Sequence, residues 1–151
     1  MDTEKILHQI GEALANAGDR TSKAARIAEA IRQAGNYRWV GIYDVTKQEI
    51  AILAWSGTGA PAYPRFPVTE GLSGDAVSRR RTVISNDVAN DPRYLTAFGS
   101  TQSEIIVPII HPQGGHVLGT LDVESERKGA FTDADRQMLE ACAGIILPLW
   151  K

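Results

Sequence analysis

The sequence is poor in the residues on which much enzyme chemistry depends. Its 151 residues include one cysteine and three histidines. A single cysteine, Cys142, cannot form an internal disulfide bond, so we expect a reducing, cytoplasmic location. Ser73 stands between two glycines, but the G-x-S-x-G pattern of a nucleophilic serine is broken, because Gly74 follows at once and Asp75 replaces the second glycine. The sequence therefore disfavours a catalytic serine.

Basic charge and long apolar runs are also scarce. Sixteen Lys and Arg residues against eighteen Asp and Glu residues give a net charge of −2. The one basic cluster, at 79–81, is typical of the cationic end of a short helix. A nucleic-acid surface normally shows a clustered basic excess, so we expect no nucleic-acid partner. No apolar run approaches the ~18 residues of a membrane span, so we expect no membrane contact.

Two helices are predicted at the start of the chain. Apolar residues at helical spacing run to about Ala17, and Thr3 can cap this helix. After a break, a second helix is predicted to begin at Thr21 or Ser22.

Strand patterns follow the helices. Residues 37–45 and 49–57 are rich in β-branched and aromatic residues and predict a hairpin. Neither segment alternates cleanly, so we expect both faces of these strands to be covered. A proline-containing loop, a short helix at 72–80 and a long connection at 87–100 come next. Long ordered connections in compact domains often carry function.

The last third of the chain predicts a second hairpin and a final helix. Two apolar strands flank a turn at 113–115. Thr132 and Asp135 form the start signal of the helix, whose wide apolar stripe includes the cysteine, which we interpret as unreactive core packing. This order predicts an α+β fold: an antiparallel sheet with the terminal helices on one face and long loops over the other. A sheet face covered by loops is a natural cavity.

Six motifs in this order resemble the GAF domain family. They read RWVGIY, GLSG, DVANDPRY, SEIIVPI, VLGTLDVES and FTDADRQML. The resemblance implies a six-stranded antiparallel sheet with a small-molecule pocket between the sheet and the loops. It also implies a single domain over 1–151, with an N-terminal helix in 1–20 and the GAF core in 21–147. Within the family, WVGIY, FPVTEGLSG, SEIIVPI and LGTLDVES are most similar to the free methionine-(R)-sulfoxide reductases.

Those reductases carry catalytic thiols around the pocket, and this chain lacks them. A typical reductase has cysteine where this sequence has Ser73, and two further cysteines align near Tyr63 and Ala97. A hydroxyl group at neutral pH cannot reduce a sulfoxide through a sulfenic acid and a disulfide. We therefore expect a non-catalytic protein without a cofactor, in which Ser73 caps the short helix or contacts a ligand.

The acidic residues of the pocket, in contrast, are present. Asp122 and Glu124 are two apart on one strand and point to the same face, and Glu104 begins the partner strand in a register open by a residue or two. In the reductases, acidic residues at matching positions hold the amino group of methionine sulfoxide. Simple alternation offers another interpretation, with Leu121 and Val123 facing the core and the acids solvated.

Aromatic residues and histidines leave further alternatives. Trp39, Tyr43 and Trp55 line the same cavity or belong to the core. His111 and His116 flank the hairpin turn without further ligands, so we expect no metal site. Among other activities of the family, covalent bilin binding would need a pocket cysteine, and the motif frequent in cyclic-nucleotide-binding members is matched only in part.

The sequence thus predicts a non-catalytic GAF module that binds a small amine-bearing metabolite in sensing or signalling. The predicted ligand-binding residues are Trp39, Tyr43, Tyr63, Ser73, Glu104, Asp122 and Glu124. Two alternatives stay open: a reductase-like enzyme that uses unfamiliar residues or a partner's thiol, and a dimerisation module without a ligand. The terminal helices carry more apolar surface than one sheet face needs, which predicts a homodimer through them. Their last apolar residues are Ile145, Ile146, Leu149 and Trp150.

Overall fold

The computed structural model describes residues 2–95 and 98–150. Helices lie near both ends of the chain, and most of the strands lie between them. The α-helices are α1 (Thr3–Ala15), α2 (Arg20–Gly35), α3 (Gly71–Arg79) and α4 (Asp133–Ile145). The strands are β1 (Trp39–Val45), β2 (Glu49–Gly57), β3 (Arg65–Pro67), β4 (Val83–Ser85), β5 (Ser103–Ile110) and β6 (Val117–Ser125). Short 3-10 helices span Val88–Asn90 and Leu147–Trp150.

The six strands form one sheet in the order β3-β2-β1-β6-β5-β4, and every neighbouring pair is antiparallel. The predicted α+β fold with a six-stranded antiparallel sheet is confirmed. The proline-containing segment between β2 and α3 supplies only the short edge strand β3, which pairs with β2 alone.

One face of the sheet packs against α2 and α4, α1 packs against these two helices, and together they form the main core. Val40 and Ile42 of β1 and Leu121 of β6 reach it, and each is fully buried. Burying one such side chain contributes about 1.5–3 kcal/mol. Cys142 of α4 lies in the same core, and burial raises the pKa of its thiol to about 12. The thiol is therefore neutral at physiological pH and lies on the helix side of the sheet.

Aspartates rather than hydroxyl residues cap the first two helices. Asp2 Oδ1 accepts a hydrogen bond from the Lys5 N–H group, so α1 begins at Thr3, which does not cap it. Asp19 Oδ1 accepts from the Ser22 N–H group, and α2 begins one residue before the earliest predicted start. A carboxylate at the N-cap position accepts a hydrogen bond from a free backbone N–H group, and its negative charge interacts favourably with the positive end of the helix dipole. The capping box predicted at the start of α4 is present.

The end of the chain packs within the protomer. Ile146 is 0% exposed and Leu149 is 5% exposed, and the Trp150 indole N–H donates to Asp44 Oδ1 over 2.8 Å. The Arg20 guanidinium lies over the Trp150 ring and pairs with Asp44. The apolar surface from which the sequence predicts a homodimer is thus largely used inside one protomer. No helix in the described ranges is long and apolar enough to cross a membrane.

Candidate ligand-binding site

The sheet face opposite the helices carries buried acids. Leu121 and Val123 of β6 point to the helices, so the residues that alternate with them point to the other face. There, Asp122 is 4% exposed and Glu124 is 0% exposed. The interpretation in which these acids are solvated is therefore wrong, because the segments between β2 and α3 and between β4 and β5 cover this face.

Three carboxyl groups meet on this face. Glu104 of β5 lies directly opposite Glu124 of β6, and Asp122 pairs with the next inward-facing position of β5, Ile106. This register was open from the sequence. One carboxylate oxygen from each acid lies within 4.8 Å of the others, and all three residues are buried. We call Glu104, Asp122 and Glu124 the acidic triad.

The acidic triad is only partly satisfied by its neighbours. Thr101 donates its hydroxyl hydrogen to Glu124 Oε1 over 2.8 Å, and Tyr94 donates to the same oxygen over 3.4 Å. Asp122 Oδ1 and Glu124 Oε2 are buried without a hydrogen-bond partner. Among the described residues, no Lys, Arg or His side chain pairs with the triad. Leaving buried carboxylates unpaired costs several kcal/mol, so the arrangement calls for a hydrogen-bond donor or a cation.

Burial makes these carboxyl groups hold their protons more tightly. Removal from water raises the pKa of Asp122 to about 7. Burial, and next the nearby charge of Asp122, raises the pKa of Glu124 to about 8, although the hydrogen bond from Thr101 partly opposes this rise. The pKa of Glu104 also lies well above its ordinary value, because of burial first and then the charges of both neighbouring acids.

Aromatic rings form the adjoining wall. The Trp39 and Phe98 rings meet edge to face at 5.3 Å, and the Tyr43 and Phe66 rings meet in the same way at 6.0 Å. Gly41 makes room for this packing, since a Cβ atom at that position would lie 2.3 Å from Trp39 Cη2. Trp55 of β2 lies opposite Gly41 of β1, but it does not belong to this wall, because the residue is 36% exposed and does not line the cavity.

A small cavity lies between the triad, the aromatic wall and the start of α3. Its lining residues are Tyr43, Tyr63, Phe66, Gly71, Leu72, Ser73, Leu95, Glu104 and Asp122. The volume open inside it is ≈ 20 Å³, which suits about one water molecule. Trp39 and Glu124, also predicted from the sequence, lie beside the cavity without lining it. An organic ligand therefore needs side chains of the covering segments to move outward, and Tyr63 is the most exposed of them at 48%.

Ser73 reaches the cavity but does not cap α3. The N-cap residue is Glu70, whose side chain makes no capping hydrogen bond, and Ser73 lies in the first turn at 5% exposure. The two glycines around it have structural roles. Gly71 adopts a left-handed φ of 73°, which favours glycine. A Cβ atom on Gly74 would lie 2.6 Å from the Thr69 carbonyl carbon, so only glycine permits this close approach.

An ion-pair cluster that could not be predicted from the sequence fixes one covering segment. The Arg93 guanidinium donates two hydrogen bonds to Asp91, at 2.9 and 2.7 Å, and a third to Asp75 of α3 at 2.6 Å. Asp75 also accepts from Arg79 over 2.8 Å. These contacts tie the segment that carries Tyr94 to α3. The quoted motif DVANDPRY contains the arginine, but its helix partner is too distant in sequence to be inferred from spacing.

The histidine pair has a local role in its turn. The His111 and His116 rings stack at 4.8 Å, and His111 Nδ1 accepts from the backbone N–H groups of Gln113 and Gly114. Within residues 2–95 and 98–150, no further acidic or thiol group lies near enough to complete a metal site with them. Among the described residues, the side chains of the acidic triad are spaced closely enough to bind one cation together, whether organic or inorganic.

Comparison with known proteins identifies the family to which this chain belongs. The family model described as "GAF domain" matches residues 19–147, and the chain belongs to the GAF domain family. The chain is 29% identical over 136 residues to GAF domain-containing protein A of Dictyostelium discoideum, covering 90% of this chain and 84% of that protein. It is 33% identical over 110 residues to a free methionine-R-sulfoxide reductase of Saccharomyces cerevisiae, covering 72% of this chain and 60% of that protein.

A solved structure of a similar protein agrees over most of the chain. The free methionine-R-sulfoxide reductase from Neisseria meningitidis, in complex with its substrate, superposes with a TM-score of 0.87 at 28% identity, covering 98% of this chain and 87% of that chain. This chain has one cysteine, so it lacks the catalytic cysteine pair expected of such reductases. Of the aligned thiol positions, Ser73 and Tyr63 line the cavity, and Ala97 lies outside the described residues.

Proposed function

We propose that this protein is a non-catalytic GAF sensory module that binds a small amine-bearing metabolite against the acidic triad. One observation carries the proposal: buried carboxyl oxygens of Asp122 and Glu124 lack partners beside a cavity, and no thiol lies there. Its ligand class is that of methionine, its sulfoxides and related amino acids.

An ammonium group supplies what the triad lacks. It carries one positive charge and three N–H donors, and it can therefore hydrogen-bond several carboxyl oxygens at once. Charge-assisted hydrogen bonds of this kind are about twice as strong as neutral ones. The rings of Tyr43 and Phe66 lie beside the triad and suit the apolar part of such a ligand. Their faces can also attract a cation.

This chain lacks a reactive thiol with which it could reduce a sulfoxide. The Cys142 thiol is buried in the helix-side core, and its pKa of about 12 leaves almost none of the reactive thiolate. We therefore expect no turnover in a coupled NADPH assay with free methionine (R)-sulfoxide. Turnover in that assay, above all if it survives Cys142→Ser, would contradict a non-catalytic role.

Isothermal titration calorimetry with L-methionine and its two sulfoxides tests the binding proposal. Asp122→Asn removes a buried charge next to the cavity, and a lost charge-assisted hydrogen bond of about 1.5–3 kcal/mol corresponds to roughly 10- to 100-fold weaker binding. Asp133→Asn, on the solvent side of α4 with 87% of its side chain exposed, is the matched control and is expected to bind as the wild type does. Absence of binding by any of the three compounds would contradict this ligand class.

We also propose that the protein forms a homodimer through its terminal helices when it acts in signalling. Much of the apolar surface of these helices is covered within the protomer. Sedimentation equilibrium measures dimerisation directly. A monomer at micromolar concentration, with or without L-methionine, would remove the dimer and leave ligand binding unaffected.

A further inference from the structure

The acidic triad has a consequence for how a ligand binds, and this inference rests on the proposed function. We propose that the ligand-free triad holds a shared proton, and that the ammonium group of the ligand displaces it, so that binding exchanges a cation for a proton. Affinity then depends on pH, and the pocket responds to proton concentration as well as to its ligand.

Full ionisation of the triad would place a large negative charge in the pocket. Three carboxylates with oxygens within 4.8 Å of one another would hold three negative charges in a buried site. Each buried ion costs several kcal/mol after relaxation, and the like charges repel one another. No cationic side chain of the described residues offsets them. Under these conditions a carboxyl group takes up a proton instead.

A shared proton also supplies the donor that the triad lacks. Glu104 lies opposite Glu124 in the strand register, and one oxygen of each of the three acids lies within 4.8 Å of the others. Ionised carboxylates only accept hydrogen bonds, so a hydrogen bond between two of these groups requires a proton on one of them. The shared proton thus gives a partner to oxygens that otherwise have none.

Among the described residues, the surroundings of the triad offer no other site for this proton. Tyr43 of β1 faces the triad, and burial first and then the charges of the three acids raise its pKa, so it stays neutral. Tyr94 and Thr101 donate to Glu124, and Ser73 and Tyr63 line the cavity with hydroxyl groups. The charged residues nearby in the covering segment and α3, Asp75, Asp91, Arg79 and Arg93, pair with one another outside the pocket. A displaced proton therefore leaves to solvent.

The exchange balances in charge and protons. An ammonium group enters with its three N–H donors, forms hydrogen bonds to the carboxyl oxygens, and keeps its own protons. The carboxyl O–H bond breaks, and its proton passes to water. If about one proton leaves per ligand, affinity weakens about tenfold for each unit by which pH falls below the range where the triad titrates. Between pH 8 and pH 6 we therefore expect a Kd increase of up to about 100-fold.

Infrared spectroscopy of the ligand-free, EDTA-dialysed protein tests the shared proton without any ligand. We expect a C=O stretching band of a protonated, buried carboxyl group at neutral pH, which disappears as pH is raised. Glu104→Gln and, independently, Asp122→Asn should remove or shift this band. Glu29→Gln, an exposed residue of α2, should leave it unchanged. Absence of the band from the folded wild type at pH 6, or a metal ion retained after dialysis, would overturn the proposal.

Calorimetry in two buffers with different ionisation enthalpies tests the exchange itself. With L-methionine or its (R)-sulfoxide at pH 7, we expect about one proton released per molecule bound. Binding without proton release would overturn the exchange and leave the proposed function intact. If neither compound binds while the infrared band is present, the proposed ligand class fails but the protonated triad stands.

Discussion

Replacing Glu104 by glutamine should make the ligand-free protein more stable at alkaline pH. The change replaces a carboxyl group that must ionise at alkaline pH with an amide that stays neutral, and it keeps the shape of the side chain. The amide also carries permanent N–H donors beside Asp122 and Glu124, whose carboxylate oxygens lie within 4.8 Å of that of Glu104. A substitution in a buried, polar site normally destabilises, so a gain in stability is a specific consequence of the buried charge.

The size of the effect follows from the raised pKa values. The pKa of Asp122 rises from 3.8 to about 7 and that of Glu124 from 4.5 to about 8, or roughly three pH units each. Each unit corresponds to about 1.4 kcal/mol, so one such carboxyl carries roughly 4 kcal/mol. The pKa of Glu104 is raised in the same direction, by burial first and then by the charges of Asp122 and Glu124. Replacing buried ionic groups by neutral ones of similar volume stabilises by about 1–4 kcal/mol, so for Glu104→Gln we expect about 2 kcal/mol at pH 8.

The sign depends on pH. A carboxyl group whose pKa is higher in the folded than in the unfolded state adds stability at low pH, and this stability is lost as pH rises through the folded pKa. The wild type should therefore lose stability between about pH 4 and pH 8, the interval set by the values of Asp122 and Glu124. The glutamine variant should lose less, and the two proteins should be similar at pH 5.

Urea unfolding at pH 5 and pH 8 measures this difference. For a chain of this size, about 2 kcal/mol also corresponds to a rise in Tm of roughly 4–8 °C at pH 8. Glu29→Gln removes an exposed charge and should follow the wild type at both pH values. Equal destabilisation of Glu104→Gln at both pH values would refute the reasoning, because it would show that the lost contacts matter and the buried charge does not.

Two further substitutions test the surroundings of the pocket. Gly74→Ala should destabilise by about 1–3 kcal/mol in urea unfolding, because its Cβ atom would lie 2.6 Å from the Thr69 carbonyl carbon. Gly144→Ala, where nothing lies within 4 Å, is the control and should be neutral or slightly stabilising; equal effects would contradict the close approach. Arg93→Ala should lower stability by less than about 1 kcal/mol, because the ion pairs are partly exposed, but should speed amide hydrogen exchange in the segment around Tyr94. Unchanged exchange there would show that the ion pairs do not hold this segment.

The pattern of the sheet was accessible from the sequence because side-chain direction in a strand follows local rules. Alternation places Asp122 and Glu124 on one face whatever the rest of the fold does. The capping box at Thr132 is equally local, and it was predicted. At the first helix, Asp2 and Thr3 are both good capping residues, and the sequence alone gave no reason to prefer the aspartate.

What the sequence could not supply depends on contacts between distant segments. Alternation does not say whether Asp122 faces water or a covering loop, and here the resemblance to the GAF family pointed to the pocket. The register that sets Glu104 opposite Glu124 is a property of the whole hairpin. Phe66 and Leu95, which line the small cavity, come from two different covering segments, and their meeting there could not be read from either segment alone.

A crystal structure of the protein grown with L-methionine would test the central claim most directly. We expect the ammonium nitrogen within hydrogen-bonding distance of Asp122 Oδ1 and Glu124 Oε2, the two oxygens that lack partners in this structure. Tyr63 or Leu95 should then have moved outward to make room. A ligand bound elsewhere, or an unoccupied pocket at saturating L-methionine with the two oxygens still buried, would contradict the account.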